Sequence, residues 1–384
     1  MLRDLLSKRR RRRALVANRS VLALHGACVL AWSGCGAHPE PRPQASVPAS
    51  APVIQQQEHT VAALGSAVTV GEQTPAPAEP AAVPALDPLA ALPAPSTSTS
   101  FGSPTNGRLE GGVALPLQAQ GLRYNDRRSE NARFATVEVI QAVLRAARTV
   151  ADEFPASELV VNDIGLEHGG KIAHHGSHRA GRDADILFYL LGDDGRPTPS
   201  VGAPIDPEGI GFDYKDLSVK DDDVRVHFDA PRTWRFVRAL IEDQAAPLQR
   251  IFVVEHLRSA LLEEATRSKA PADVVARFAD LTCQPSYPHD DHLHVRWYCS
   301  EEDLGLGCED LPPLYPWRSE LLAAHGVTPV LAKRGKSVDP APIETNADAE
   351  RAVQRQKPHP DVLKFLARRK AWEKQPHPGR EYCR

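Results

Sequence analysis

Histidine is concentrated in two segments of the chain. The first reads His168-Gly-Gly-Lys-Ile-Ala-His174-His175-Gly-Ser-His178-Arg-Ala-Gly181-Arg-Asp183-Ala-Asp185, and the second Pro288-His289-Asp290-Asp291-His292-Leu-His294-Val-Arg-Trp297. Neutral imidazole and carboxylate are borderline ligands that suit zinc, and the lack of nearby thiolates argues against a closed structural site. A catalytic zinc takes three protein ligands and leaves one position for water. Taken singly, a histidine is more often a surface or hydrogen-bonded residue than a ligand, and His168 and His174 are read that way. The signal lies in the combination. His292 and His294 stand two apart on a predicted strand, so both face one side with Cα atoms about 6.6 Å apart. One imidazole can then bind a metal while the other stands beside its water, or both can ligate; the spacing does not decide. In the first segment, Gly181 lets the chain turn so that His178 and Asp185 converge. Asp183 shares the face of Asp185, where it either orients a ligand or makes a structural hydrogen bond. Two carboxylates so close to His178 are costly to bury unless a cation neutralises them.

The elements that must position these residues follow from hydrophobic spacing. Val137, Ile140, Val143, Leu144, Ala147 and Val150 predict an amphipathic helix over 136–154. Further helices are expected over 233–241, after Pro231 as a start signal, and over 257–266 and 272–281. Short strands are expected over 158–164, 184–191, 250–254 and 292–298. Helices intermixed with short strands, without regular alternation, favour α+β over a doubly wound sheet. The expected architecture is a small, central, mostly antiparallel sheet flanked by helices, with the zinc site on the sheet.

Composition confines that globular unit to part of the chain. Of the 384 residues, 34 are proline, and the stretch 36–105 is mostly Ala, Pro, Ser, Thr and Gln. It has too few large apolar side chains to offset the entropy of ordering, so it reads as a disordered linker. Residues 1–35 read as an export signal, with Arg9 to Arg13 as the basic region and Val21 to Trp32 as an apolar stretch too short to span a bilayer. Ser33-Gly34-Cys35 resembles a lipoprotein cleavage site, which would make Cys35 a lipidated first residue and the linker a tether. Trp32, His25 and Arg19 depart from that pattern, and ordinary cleavage with release is the alternative. The net charge of −3 does not point to nucleic acid as a partner. Beyond the signal lie Cys283, Cys299, Cys308 and Cys383, with no Cys-x-x-Cys pair, so disulfides are expected. The tail 313–384 reads as irregular and basic, with a short helix over 361–372 on an exposed surface, read as solvated in preference to a contact with anionic wall polymer.

Ser177-His178-x-x-Gly181-x-Asp183-x-Asp185 followed by His289-x-x-His292-x-His294-Val295 resembles the motifs of the penicillin-insensitive murein endopeptidases. That family belongs to the wider group of lysostaphin, the D-Ala-D-Ala peptidases and the hedgehog fold. Asn106-Gly107-Arg-Leu109-Glu-Gly111-Gly-Val-Ala-Leu115-Pro116, Asp163-Ile-Gly165, Gly169-Gly170, Phe228-Asp229 with Trp234, and Ile251-Phe252-Val253 extend the likeness over roughly 101–312. The resemblance implies a metallopeptidase domain over 106–312 of the hedgehog/D-Ala-D-Ala peptidase type, with zinc held by His178, Asp185 and His294. It implies His292 as the general base, His175 and His289 as further active-site histidines, and a Cys299–Cys308 disulfide. Elimination leaves Cys283 with Cys383. The implied activity is hydrolysis of D-alanyl to meso-diaminopimelyl cross-links in peptidoglycan, in the periplasm, at the outer membrane if Cys35 carries lipid. A D,D-carboxypeptidase or dipeptidase acting on uncross-linked stems, and a non-catalytic wall-binding module, are the alternatives.

Overall fold

The computed structural model describes residues 87–200, 202–333 and 342–373. The export signal with Cys35, the linker as far as residue 86, and Cys383 lie outside the described residues. Fifteen strands and eight α-helices occur among the described residues.

Seven strands form one sheet. In spatial order they are β14 (Thr282–Cys283), β13 (Leu248–Phe252), β15 (His292–Trp297), β8 (Asp183–Leu187), β7 (Leu159–Val161), β5 (Leu122–Tyr124) and β4 (Gln118–Ala119). β15 lies antiparallel between β13 and β8, whereas β13 with β14 and β5 with β7 are parallel. β9 (Leu190–Gly192), β10 (Pro197–Thr198), β11 (Ile210–Asp213) and β12 (Val224–Phe228) make a second, four-stranded sheet. Two small antiparallel pairs complete the set: β1 (Thr99–Ser103) with β2 (Asn106–Glu110), and β3 (Val113–Ala114) with β6 (Phe134–Ala135).

The α+β class holds, and the main sheet is mostly antiparallel, four of its six strand pairings being so, but it is neither small, central nor single. The main sheet is seven strands wide and mixed, and three further sheets accompany it. Its outer strands are two or three residues long, too short for a period of two to show in the sequence. The four expected strands lie in its middle, except that the run over 184–191 breaks after Leu187 and its last two residues enter β9 of the second sheet.

Helix α1 (Val137–Glu153) buries Val139, Ile140, Val143, Leu144, Ala147 and Val150 on its apolar stripe. Its first amide is capped from outside, Val137 N–H donating to Ser98 Oγ at 2.8 Å. It stops at Phe154, which precedes Pro155 and so is pushed out of the helical region. Helix α2 (Ala230–Glu242) starts at Asp229, whose carboxylate accepts from Arg232 N–H at 3.1 Å, with Pro231 in the first turn. Helices α3 (Glu255–Arg267) and α4 (Ala272–Leu281) follow, and all four supply the main core. There Trp234 meets Phe278 edge to face at 5.2 Å; burying such side chains stabilises the fold by about 1.5–3 kcal/mol each.

Cys299 and Cys308 are disulfide-bonded, closing a loop that contains α5 (Glu301–Leu306). Cys283 is also disulfide-bonded. The chain between the linker and the tail is more extensive than its composition suggests: β1 lies within the stretch read as linker, and its Ser100 N–H donates to Asp303 Oδ2 at 3.0 Å.

The tail corrects a stronger expectation. Beyond α6 (Pro316–Ala324) and α7 (Asp348–Gln354), helix α8 (Pro360–Trp372) falls where a short helix was expected. Only one face of it is solvated, however, where Leu363, Lys364 and Arg368 are exposed. Val362, Phe365, Leu366 and Trp372 join the main core, and Arg369 is buried with them. Positions 362, 365, 366, 369 and 372 form one helical stripe, and the apolar area it covers outweighs the charge around it. No helix among the described residues is long and apolar enough to cross a membrane.

Candidate active site

The two histidine segments meet on adjacent strands. In the antiparallel register of β15 with β8, His294 is directly opposite Asp185 and His292 opposite Leu187. Alternation puts Asp183 and Asp185 on one face of β8, and His292 and His294 on the same face of β15. His178 enters from the turn before β8. It has φ +69°, and Gly181, also at φ +69°, completes the reversal. A Cβ at Gly181 would lie 2.8 Å from Leu109 Cδ2 and 3.2 Å from Thr136 N. Gly181→Ala is therefore expected to cost about 1–2 kcal/mol from the left-handed backbone alone, and more where Leu109 cannot give way. Denaturant unfolding of the full chain measures it; an unchanged midpoint would remove Gly181 from the account.

The inner atoms are close. His178 Nε2 is 3.3 Å from Asp185 Oδ1 and 3.3 Å from His294 Nδ1, which is itself 3.0 Å from Asp185 Oδ1. His292 Nε2 lies 3.3 Å from the same oxygen. His175 Nδ1 faces the other carboxylate oxygen at 3.6 Å. The donor atoms of His175, His178 and Asp185 all fall within 4.8 Å of one another. His289 is adjacent, its ring centroid 4.8 Å from His292 and 5.6 Å from His294. All six expected site residues are thus brought together and buried. His168 is exposed, and His174 sits outside the cluster, 3.6 Å from Glu344.

The outer nitrogens explain which way each lone pair points. His178 Nδ1–H donates to the Ile164 carbonyl at 2.7 Å. His294 Nε2–H donates to Asp183 Oδ1 at 2.9 Å, His292 Nδ1–H to Asp291 Oδ1 at 2.6 Å, and His175 Nε2–H to Asp163 Oδ2 at 3.0 Å. In the neutral ring each such bond leaves the other nitrogen as the one that carries a lone pair, directed inward. Four imidazole lone pairs and a carboxylate pointing at one another repel unless a cation lies among them. His292 Nε2 accordingly finds no hydrogen-bond partner among the described residues. A tetrahedral ion with ligands at about 2.0–2.1 Å has neighbouring ligand atoms about 3.3 Å apart. The His178, Asp185 and His294 separations match that edge, so these residues fit a metal.

The electrostatics agree. Burial disfavours the Asp185 carboxylate, yet His292 and His178 outweigh it and hold its pKa well below the usual range. Burial and the neighbouring His178 push His175 down to about 4, a neutral ring. For His292 burial works against charging, but Asp185 and Asp291 carry it up to about 9. With protein atoms alone, a proton supplies the positive charge that Asp185 demands. A metal cation beside Asp185 removes that demand and favours neutral His292.

Asp183 orients the site rather than merely filling it. Besides His294 it accepts from Arg296 Nε at 2.6 Å and from the strained His178 N–H at 3.2 Å. Arg296 and His294 hold its pKa low against the burial that would raise it.

A family model for penicillin-insensitive murein endopeptidases matches residues 100–316, more than half of the chain. The chain belongs to that family. It is 29% identical over 228 residues to a penicillin-insensitive murein endopeptidase of Pectobacterium atrosepticum, covering 58% of this chain and 73% of the relative. Against a penicillin-insensitive murein endopeptidase of Escherichia coli the identity is 25% over 226 residues, covering 58% and 74%.

The murein endopeptidase match contains both histidine segments and ends in α6. Four supporting residues could not be singled out from the sequence. Asp163 and Asp291, which hold His175 and His292, are given no role there, Asp163 standing only within the family likeness and Asp291 only as an acidic neighbour of the histidines. Thr345, whose hydroxyl donates to Asp163 Oδ2 at 3.0 Å, and Arg369, whose guanidinium holds Asp290, lie past the end of the family match.

Proposed function

We propose that the chain is an exported zinc peptidase that hydrolyses D-alanyl to meso-diaminopimelyl cross-links in peptidoglycan. The observation that carries this reading is the convergence of the His178, Asp185 and His294 donor atoms, 3.0–3.3 Å apart, with His292 Nε2 beside them. Support for the substrate comes from the family and from the murein endopeptidases it resembles. A zinc ion held by His178, Asp185 and His294 would supply a water acidified to a pKa near about 7 and a Lewis acid for the scissile carbonyl.

His292 is the general base. Asp291 fixes its tautomer, so Nε2 accepts the proton of the attacking water and then delivers it to the leaving amine. His175, neutral and held by Asp163, and His289, whose Nδ1–H donates to the Tyr287 carbonyl at 2.8 Å, steady water or substrate at the rim. Asp183 keeps His294 turned inward. The scheme uses no serine nucleophile, in keeping with the penicillin insensitivity in the relatives' name. The reading extends to a hedgehog/D-Ala-D-Ala peptidase-like arrangement of the 106–312 domain. It also includes a periplasmic location, export by residues 1–35, and a lipid tether at Cys35 through the linker.

The test is incubation of the full chain with purified sacculi, with and without a chelator. Soluble muropeptides are expected, with cross-linked dimers consumed in preference to monomers. Stripping divalent metal should abolish release, and zinc should restore it. Release that survives complete metal removal, or that trims only monomers, overturns the reading.

A further inference from the structure

We propose that Arg369, on the C-terminal helix beyond the family's segment, is a positioning residue for the active-site turn Pro288–His292, acting through Asp290. Asp290 sits between His289 and the Asp291–His292 pair, and its side chain and that of Arg369 are both fully buried. Arg369 Nε donates to Asp290 Oδ2 at 2.6 Å, and the second arm of the guanidinium donates to Oδ1. Trp372 Nε1–H adds a bond to Oδ2 at 2.9 Å. Such a two-pronged clamp fixes the plane of a carboxylate as well as its position. The Asp290 carbonyl is held too, accepting from Ile205 N–H at 2.7 Å.

The clamp spans His289. On its other side Arg369 Nη2 donates to the Tyr287 hydroxyl at 3.4 Å, and the guanidinium lies 5.6 Å from the Tyr287 ring centroid. The Tyr287 carbonyl takes the His289 Nδ1–H. His289 itself has φ +53°, a conformation that costs a non-glycine residue energy and persists only where neighbours enforce it. One side chain from α8 thus grips Tyr287, two positions before a strained active-site histidine, and Asp290, directly after it. Its grip on Asp290 also sets where Asp291 begins, and Asp291 orients His292. The remainder of the α8 stripe is apolar, so an arginine there is costly to bury without this partner.

The functional part of this inference rests on the reading of His292 as the base; the positional part does not. The experiment compares full-length Arg369→Gln and Arg369→Lys with the parent chain. It records thermal unfolding, metal stoichiometry, amide exchange over 287–292 in metal-free protein, and kcat and KM on a cross-linked muropeptide. Arg369→Gln should speed exchange over 287–292 by about tenfold while the α1 amides stay protected. Its kcat should fall by about 10–100-fold with KM within about twofold and metal content unchanged. Arg369→Lys, which keeps the charge but not the fork, should recover part of both losses. If Arg369→Gln does not fold, the neutral pair Asp290→Asn with Arg369→Gln, which leaves no unpaired buried charge, replaces it in the same comparison. Exchange at the parent rate over 287–292, or a full kcat in a folded variant with only a lowered melting temperature, overturns the proposal. A parent chain that cleaves no murein while exchange still answers to Arg369 sinks the murein reading and leaves the positioning intact.

Discussion

Replacing His292 with alanine will leave bound metal at the parent stoichiometry and lower the rate of cross-link hydrolysis by about 10²–10⁴-fold, the range that a positioned general base contributes. The geometry separates the two roles. His292 Nε2 faces Asp185 Oδ1 at 3.3 Å, but its Nδ1–H is committed to a carboxylate of its own, Asp291, at 2.6 Å. That pairing raises the basicity of Nε2 and prepares it to take a proton and pass it on. The measurement is metal content by elemental analysis beside kcat on cross-linked muropeptides. Loss of metal from this variant would make His292 a ligand and transfer the base role to another group. Unaltered turnover would remove it from the chemistry altogether.

The second large effect concerns which imidazoles hold the ion. Two overlapping sets share His178 and Asp185: one completed by His294, the other by His175. His294 Nδ1 is 3.0 Å from Asp185 Oδ1 and 3.3 Å from His178 Nε2, both near a tetrahedral edge. His175 Nδ1 approaches the opposite oxygen, at 3.6 Å. The expected outcome is that His178→Ala and His294→Ala lose bound metal and essentially all activity, whereas His175→Ala keeps its metal. Isothermal titration of zinc into stripped protein reads this directly. A His175→Ala variant that cannot bind zinc, beside a His294→Ala variant that can, would exchange their places. Removal of a ligand also leaves Asp185 buried among fewer positive partners, so these variants should unfold at lower temperature when metal-free.

The chemistry-bearing residues are legible in the amino-acid sequence because both segments carry local geometry. Two-residue spacing on a strand puts His292 with His294 and Asp183 with Asp185 on one face, and Gly181 announces the turn that returns His178. The apolar spacing of 137–153 is equally plain, since a long helix repeats its pattern several times. Short edge strands such as Gln118–Ala119 contain no repeat to read, so the width and mixed direction of the sheet do not follow. Nor does the placement of the tail. Its apolar stripe is visible in Val362, Phe365, Leu366 and Trp372, yet the charges around it suggest solvent.

By itself, then, the sequence determined which residue types could bind a metal, on which faces they stand, and that acidic groups near them require a cation. Tertiary structure alone decided the cross-strand register that sets His294 against Asp185. It also decided the choice of Asp163, Asp183 and Asp291 as partners for particular rings, and the closing of Arg369 onto Asp290 from 79 positions away. The reason is one of range. Periodicity records the angle between neighbours along a chain, while the pairing of distant segments depends on how whole elements pack, which no local pattern encodes.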